Sequence, residues 1–280
     1  MTMASMTAFA TRLLTGLSCL LLAVAVQGGT LNLEGEPVQG ALIIGRTDPG
    51  TTVTFNGNAV RVSSRGVFLL GFGRDAPEKA RLDAIFADGT SVARNLLVAQ
   101  RSYQVQRIDG LPPSRVSPSE EDLVRIRKDI AEAKKARARD DAREDFLGGF
   151  VWPAKGRISG VYGSQRILNG KPRRPHFGVD VAAPTGTLVR APADGIVTLA
   201  NNDMFYSGGT LIVDHGHGLS SSFLHLSAIL VNVGERVRQG DPIAKIGATG
   251  RVTGPHLDWR MNLQRERLDP QLLVGPMTSQ

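Results

Sequence analysis

The sequence of 280 residues predicts a mainly β protein with a single long helix. Three observations predict this fold class. Short apolar runs alternate with polar residues in the first third of the chain, a charged and alanine-rich segment follows, and the remainder combines many glycines with short β-branched runs. We therefore expect a small N-terminal β-sandwich, a linking α-helix and a C-terminal domain built mainly from β-sheet.

The amino terminus has the composition of a secretory signal peptide. After Arg12, an apolar run extends over residues 13–26 and contains a triplet of small residues that ends at Ala25. We predict a signal peptide over residues 1–25. The run is shorter than the roughly 20 apolar residues that span a bilayer. We therefore expect an exported, periplasmic or envelope-associated protein without a stable membrane span after processing, and an uncleaved anchor is the alternative.

Cysteine usage and charge narrow the function classes. The only cysteine, Cys19, lies within the predicted signal peptide, so we expect neither a disulfide nor thiol catalysis in the mature protein. The formal net charge is +7, which favours anionic partners. No basic run is interleaved with aromatic residues, so we expect cell-envelope polyanions and no nucleic acid. Surface arginines that only interact with solvent are the simpler alternative.

Two hairpin signatures indicate an N-terminal β domain. Asn56-Gly57 and Asp88-Gly89 each lie between two short runs of alternating apolar and polar residues, which is typical of tight hairpin turns. We predict a small accessory β-sandwich over residues 29–107. Because it contains no cluster of catalytic residue types, we expect it to recruit a partner, to position the substrate or to occlude the site.

A linker with one helix is predicted over residues 112–149. It begins at Pro112-Pro113, and Ser117 is expected to cap a helix over residues 118–146 that ends before Gly148-Gly149. The helix interior has few large apolar residues, so it buries little surface. We expect it to bridge two domains, and a surface helix on one domain is the alternative.

The predicted C-terminal domain, residues 150–274, is punctuated by glycine and rich in strand signals. Residues 211–213, 231–233 and 243–246 are β-branched or apolar runs of strand length, and no comparable helical pattern is present. We therefore expect this domain to be a sheet, and the chemistry to lie on it.

All five histidines lie between His176 and His256, close to aspartates. Imidazole and carboxylate groups are the protein ligands of borderline divalent metals. Because side chains alternate along a strand, His176 and Asp180 share one face if residues 177–181 are extended, and His256 and Asp258 share a face of a second strand. The sequence therefore predicts a metal site, in which Gly178 leaves room for the ion.

The remaining histidines are assigned by their neighbours. His225 has apolar flanks that would suit a buried core histidine, but the other candidate groups favour a role in the site. His215 and His217 lie in a turn-like segment, so we expect neither to bind the metal. Arg260 and Tyr162 are expected to hold a carboxylate or an oxyanion, unless Arg260 pairs with a neighbouring acid.

These residues carry a resemblance to a known family. The segment from about 151 to 262 resembles the catalytic domain of the lysostaphin-like zinc metallopeptidases, the LytM-domain family, which cut peptide bonds in peptidoglycan. The matching segments are Gly-Val-Tyr-Gly (160–163), His-Phe-Gly-Val-Asp (176–180), Ala-Pro-Ala-Asp-Gly (191–195), Asp-His-Gly (214–216), Phe-Leu-His-Leu-Ser (223–227) and Gly-Pro-His-Leu-Asp (254–258).

The resemblance implies a LytM-type domain with one Zn²⁺ ion and peptidoglycan as substrate. Carried over by position, His176 and Asp180 are metal ligands, and His225 and His256 form the catalytic pair. The third ligand position holds Asp258 where the family pattern has histidine. A second carboxylate brings the charge of zinc and its ligands to about zero, which weakens the pull on a bound water or favours another divalent metal.

Two other functions stay open at the level of sequence. A degenerate, metal-free LytM domain would activate another cell-wall hydrolase through an envelope protein partner, and the change at position 258 favours this alternative. Residues 191–195 and 233–241 also resemble the hybrid β-motif of biotinyl and lipoyl carrier domains and of sugar-phosphotransferase subunits. No lysine stands at a carrier turn, so we interpret the motif as a duplicated sheet architecture without carrier chemistry.

Overall fold

The computed structural model of the chain describes residues 29–108 and 119–277. The predicted signal peptide, residues 1–25, and the linker start at Pro112-Pro113 lie outside these ranges. Within them, twenty strands accompany one α-helix, so the mainly β fold class is confirmed. No helix in the two ranges is both long and apolar enough to cross a membrane.

Two antiparallel sheets form the N-terminal sandwich. The order is β1-β2-β5 in one sheet and β4-β3-β6-β7 in the other. Ile43 and Phe68 of the first sheet share one buried cluster with Val53 and Leu82 of the second. The strands are β1 (Leu31–Glu34), β2 (Leu42–Thr47), β3 (Thr52–Phe55), β4 (Asn58–Val60), β5 (Val67–Gly71), β6 (Lys79–Ile85) and β7 (Ser91–Leu97).

Both predicted hairpins are present. Asn56 and Gly57 have φ angles of 48° and 77° between β3 and β4, as a two-residue turn with left-handed backbone requires. Asp88-Gly89 lies between the paired strands β6 and β7. The turn chemistry therefore sets the strand order of this sheet.

The strand that follows the sandwich pairs with the C-terminal half. Strand β8 (Val105–Ile108) lies parallel to β10 (Gln165–Leu168), which in turn pairs with β11 (Lys171–Pro172). The proposed boundary at residue 107 therefore falls within a strand that crosses between the two halves.

Helix α1 (Glu120–Ala136) begins two residues later than expected. Its N-cap is Ser119, whose side chain accepts a hydrogen bond from the backbone N of Asp122, while the Asp122 carboxylate accepts one from the backbone N of Ser119. Ser117, the residue that the sequence suggested, is not the cap, because the aspartate three residues after Ser119 completes the reciprocal pair.

The predicted extension of this helix to residue 146 is wrong. Beyond Ala136, Asp140 accepts a 2.6 Å hydrogen bond from Arg61 Nε, and Glu144 pairs with Arg65. These ion pairs with the N-terminal sandwich hold the segment in an irregular path, which a continuous helix would not allow. A 3₁₀ turn (Asp145–Gly148) follows.

The helix itself lies on the C-terminal sheet. Ala133 and Ala136 pack with Leu199, Met204 and Ile212 in one apolar cluster. The described contacts therefore fit the alternative, a surface helix on one domain, and the segment after the helix makes the bridge. An apolar contact also joins the halves, because Val67 and Leu69 of β5 belong to the same cluster as the C-terminal core.

The C-terminal sheet has the order β17-β14-β15-β16-β19-β12-β9, with β20 on β19 and the pair β13 and β18 attached through β16. Leu257, Trp259 and Met261 are fully buried, as strand alternation predicts. The strands are β9 (Arg157–Gly160), β12 (Val179–Ala182), β13 (Leu188–Arg190), β14 (Gly195–Met204), β15 (Gly208–Asp214), β16 (Leu219–Ile229), β17 (Arg236–Val237), β18 (Pro242–Ile246), β19 (His256–Leu263) and β20 (Glu266–Leu268).

Two of the three predicted strand segments are confirmed. Residues 211–213 lie in β15, and residues 243–246 lie in β18. Residues 231–233 instead form a turn, in which the backbone N of Asn232 donates to the Glu235 carboxylate and Gly234 has a φ of 90°. This local hydrogen bond competes with strand pairing.

Candidate metal centre

Two neighbouring strands bring the candidate carboxylates together. Strands β12 and β19 are antiparallel, and their register places Asp180 directly opposite Asp258. Residues opposite each other on one face lie within side-chain contact distance. His256, two residues before Asp258, is on the same face by strand alternation. The structure thus places these three side chains as the alternation predicts.

His176 completes the group from the segment before β12. Its backbone N donates to Ser164 O and its carbonyl accepts from Gly163 N, which fixes the approach to the strand. Its Nε2 lies 2.9 Å from Asp180 Oδ1, and its Nδ1 is buried without a hydrogen-bond partner among the described residues.

The donor set suits a divalent metal. One ligand atom from each of His176, Asp180 and Asp258 lies within 4.8 Å of the other two. One imidazole and two carboxylates are hard to borderline donors that zinc accepts. The structure therefore gathers the three predicted ligands, close enough to share one ion.

The two candidate catalytic histidines face each other beside this group. The ring centroids of His225 and His256 are 4.8 Å apart, and His256 Nε2 lies 3.9 Å from Asp180 Oδ1. His225 Nδ1 is 3.0 Å from Thr249 O, and His256 Nδ1 is 2.9 Å from Gly254 O. Because a carbonyl only accepts, each Nδ1 carries the proton, and each Nε2 remains the basic nitrogen.

His225 has an unusual backbone conformation. Its φ is +66°, in the left-handed region that costs a non-glycine residue of order 1–3 kcal/mol. The pairing of β16 with β18 is irregular just after it, and its backbone N donates to Ser207 O outside the ladder. Burial lowers the pKa of His225, so its imidazole is neutral at neutral pH.

Arg260 is the site residue whose role the sequence left open. Its Nε lies 2.9 Å from Asp258 Oδ1 and its terminal nitrogen 2.5 Å from Asp258 Oδ2. The Asp258 side chain is 4% exposed and the Arg260 side chain 28%. Arg260 therefore pairs with the neighbouring acid, and the two residues of separation on one strand were the signal for it.

The pKa values of Asp258 and Asp180 are shifted in opposite directions, because Arg260 pairs with Asp258. Burial by itself raises the pKa of Asp258, but the charge and hydrogen bonds of Arg260 hold that pKa below its ordinary value. Burial, and then the charge of Asp258, raise the pKa of Asp180. Tyr162 takes no part, because its ring is buried and its hydroxyl donates to Arg267 O at 2.6 Å.

Gly178 makes room for the ion pair of Asp258 and Arg260. A Cβ atom at residue 178 would lie 2.5 Å from Asp258 Oδ1 and 2.6 Å from Trp259 O. We expect Gly178→Ala to displace Asp258, to destabilise the fold by about 1–3 kcal/mol and to lower bound metal. Urea unfolding and metal analysis check this, with Gly148→Ala as control because its Cβ would meet no atom within 4 Å. Equal behaviour of the two variants would contradict the close approach.

Among the described residues, His215 and His217 lie outside the group that could hold a metal. His215 is fully buried in the turn between β15 and β16; its Nδ1 donates to Asp194 O at 2.6 Å, and its Nε2 accepts from the Ser221 hydroxyl at 2.8 Å. Burial lowers the pKa of His215 to about 4. The ring is a buried structural element of the turn between β15 and β16.

This buried ring predicts loss of stability in mild acid. As pH falls below about 6.5 the unfolded state protonates His215, while the folded state does not until its pKa of about 4. The free energy of unfolding should therefore fall between pH 6.5 and 4, by up to about 3 kcal/mol from this group. Urea unfolding of wild type and His215→Gln across this range measures it. Identical pH slopes for the two proteins would refute the assignment.

One family model matches the region that contains the candidate site. Residues 174–270 match the model of the family described as peptidase family M23, and this range contains all five candidate residues. A solved structure titled as a putative peptidase M23 from Pseudomonas aeruginosa has a TM-score of 0.63 and 29% identity, covering 86% of this chain and 96% of that chain. The shared fold therefore includes the N-terminal region.

Curated relatives match less than half of this chain. Peptidoglycan DD-endopeptidase ShyA of Vibrio cholerae is 37% identical over 127 residues, 45% of this chain and 29% of the relative. DD-carboxypeptidase/endopeptidase Mpg of Neisseria meningitidis is 40% identical over 120 residues, which are 43% of this chain and 27% of the relative. Cell division protein DipM of Caulobacter vibrioides is 34% identical over 129 residues, which are 46% of this chain and 20% of the relative. The matches span under a third of each relative.

Proposed function

We propose, from the premise that residues 174–270 form a domain of peptidase family M23, that this protein is a metal-dependent endopeptidase that hydrolyses peptide bonds in peptidoglycan. The observation that carries the proposal is the group His176, Asp180 and Asp258 beside the facing pair His225 and His256. The names of ShyA and ShyC, both peptidoglycan DD-endopeptidases of Vibrio cholerae, support peptidoglycan as substrate.

The metal ligands in this proposal are His176, Asp180 and Asp258, and Zn²⁺ is the proposed ion. A bound zinc supplies a Lewis acid that polarises the scissile carbonyl and makes a water more acidic. Counting Arg260, a divalent ion with two aspartates and one arginine leaves one net positive charge, as does zinc with two histidines and one aspartate. The arginine therefore offsets the weakening expected from the second carboxylate.

The histidine pair moves protons. Each ring is oriented by a backbone carbonyl at Nδ1 and keeps a basic Nε2. A neutral imidazole at this point accepts a proton from the attacking water and returns it to the departing amine. A protonated ring stabilises negative charge on the former carbonyl oxygen. The two histidines share these tasks at one place, because their ring centroids are 4.8 Å apart.

Export to the periplasm or cell envelope belongs to the same proposal. Peptidoglycan lies outside the cytoplasmic membrane, and the composition of residues 1–25 is that of a signal peptide. Fractionation of cells that express the full chain tests this, with amino-terminal sequencing of the exported form. A protein retained in the cytoplasm with an intact amino terminus would contradict export.

The function is tested by metal analysis and digestion of purified peptidoglycan with the same preparation. We expect about one zinc ion per chain, release of soluble peptides, and loss of that release on chelation and its recovery with added zinc. Products with new amino groups identify peptide-bond hydrolysis. A metal-loaded protein that releases no product would refute the enzyme.

The Asp258–Arg260 pair also supports a second candidate function. Arg260 neutralises Asp258 without a metal, so the fold tolerates a metal-free site. In that case the domain acts as an activator of another cell-wall hydrolase through an envelope protein partner, and one relative is named as a cell division protein. Stimulation of a purified hydrolase by a chain that binds no zinc and releases no product would favour it.

A further inference from the structure

A strongly basic cavity of about 950 Å³ lies between helix α1 and strands β16, β19 and β20. His225 and Arg260 line it, so it opens onto the candidate active site. Eight of its lining side chains are lysine or arginine, and two are aspartate. The lining of the cavity therefore has many more cationic than anionic side chains.

Both aspartates are already engaged elsewhere. Asp129 accepts a 2.7 Å hydrogen bond from the backbone N of Phe205, and Asp140 pairs with Arg61 of the N-terminal sandwich. Arg260 is taken by Asp258. Arg139 pairs with Asp141, which does not line the cavity. No carboxylate of the lining is thus free to neutralise the other arginines.

Within the described ranges, five arginines of the cavity have no ion pair with a carboxylate: Arg137, Arg174, Arg251, Arg265 and Arg267. Three of them, Arg137, Arg174 and Arg267, lie nearest to one another in the electrostatics of the site. Arg137 donates to Ser222 Oγ at 3.2 Å, and Arg267 to Asn262 Oδ1 at 3.2 Å. Arg174 lies with its guanidinium 5.8 Å from the Phe177 ring, as does Arg267. The Nε of Arg137 is buried with no hydrogen-bond partner.

The unpaired guanidinium groups act on one another. Burial, and then the charges of Arg267, Arg260 and Arg174, lower the pKa of Arg137 to about 9. Burial and the charges of Arg260 and Arg174 lower the pKa of Arg267 to about 10. Charges that are removed from water without a partner cost stability, and a bound anion repays that cost.

We propose that this cavity binds a carboxylate group of the peptide substrate through Arg137 and Arg267, beside His225. The inference rests on the proposed peptidase function and names the substrate class as an acidic peptide. Guanidinium groups bind carboxylates through paired donors, and Phe177 between two arginines offers an apolar surface for the peptide chain. Because Arg137 follows helix α1, the linker contributes directly to substrate binding.

The test measures binding separately from hydrolysis. The probe is a peptidoglycan-derived peptide with free carboxylates, compared with the same peptide whose carboxylates are converted to amides, on the full zinc-loaded chain carrying His256→Asn. We expect the free-carboxylate form to bind at least about tenfold more tightly, and Arg137→Gln or Arg267→Gln to remove most of that preference. Arg94→Gln, an exposed arginine of the sandwich, is the charge-matched control.

Unfolding temperature distinguishes a binding arginine from a structural one. Removal of a half-buried charge without an acidic partner should leave the unfolding temperature of Arg137→Gln equal to or above that of the parent protein. A clear decrease, equal affinity for the two peptides, or the same loss with Arg94→Gln would overturn the inference. Inorganic phosphate that binds more tightly than the peptide would also overturn it.

A parallel assay of hydrolysis by the wild-type chain distinguishes failure of the carboxylate site from failure of the peptidase function. Hydrolysis without a carboxylate preference overturns the carboxylate site and supports the peptidase. A carboxylate preference without any hydrolysis by the zinc-loaded wild type overturns the peptidase, and the site is then one for an acidic peptide ligand of a non-hydrolytic protein.

Discussion

Asp258→His combined with Arg260→Met is expected to retain bound zinc and hydrolysis, whereas Asp258→His alone is expected to impair both. The single variant leaves Arg260 largely buried without its carboxylate partner. This costs roughly 3 kcal/mol of folding free energy, which is the lower end of the range for breaking a buried ion pair, because the arginine is partly solvated. The double variant removes both charges together. With zinc bound, the site of the double variant has the same net charge as the wild-type site.

Arg260→Met alone should behave differently. It leaves Asp258 without a cation, so its free energy of unfolding should depend strongly on added zinc, while that of Asp258→His should not be rescued by the ion. Urea unfolding with and without zinc, together with metal analysis, gives a double-mutant cycle for the pair.

The exposed pair Glu34 and Arg46 is the matched control for this cycle. Its side chains are 53% and 47% exposed, and its coupling energy should be below about 1 kcal/mol. If Asp258 and Arg260 couple no more strongly than this surface pair, the charge-compensation argument is wrong.

His225→Asn and His256→Asn are each expected to lower the rate of peptidoglycan hydrolysis by about 10²–10⁴ while leaving zinc content near that of wild type. The reason is that each variant removes a basic Nε2 and no proposed ligand. Asparagine is chosen at residue 225 because it tolerates the left-handed backbone there. Initial rates on purified peptidoglycan, normalised to folded protein, measure the effect.

His217→Gln provides the histidine control. This ring packs against Phe146 at 5.3 Å and lies outside the metal-capable group, so its loss should change stability and not the rate per folded molecule. A His256→Asn protein that hydrolyses as fast as wild type would remove His256 from the mechanism. Loss of zinc in either variant would instead assign that histidine a ligand role.

Much of the fold was predictable because its signals are local. Asn56-Gly57 specifies a hairpin turn through the left-handed backbone of both residues, and Asp88-Gly89 through that of its glycine. The end of helix α1 was not predictable, because residues 137–144 have good helix propensity. Their path is set by ion pairs to Arg61 and Arg65, far away in sequence.

The candidate site likewise has one part that the sequence predicts and one part that it does not. The spacing of His256 and Asp258 follows strand periodicity and could be interpreted without coordinates. The expected extended path over residues 177–181 is only partly right, because β12 begins at Val179 and His176 reaches Asp180 from a segment that bends at Gly178. The orientation of the two candidate catalytic rings could not be predicted, because it depends on backbone carbonyls of a loop that precedes β19.

The sequence by itself determined the residue types that converge, their alternation along two strands and the family they resemble. Tertiary structure decided which charges meet: Arg260 pairs with Asp258, while Arg137 from the linker joins Arg267 in one cavity. The physical reason is that periodicity sets the face on which a side chain lies, but the dielectric environment and the partner of a charge depend on packing between segments distant in the chain.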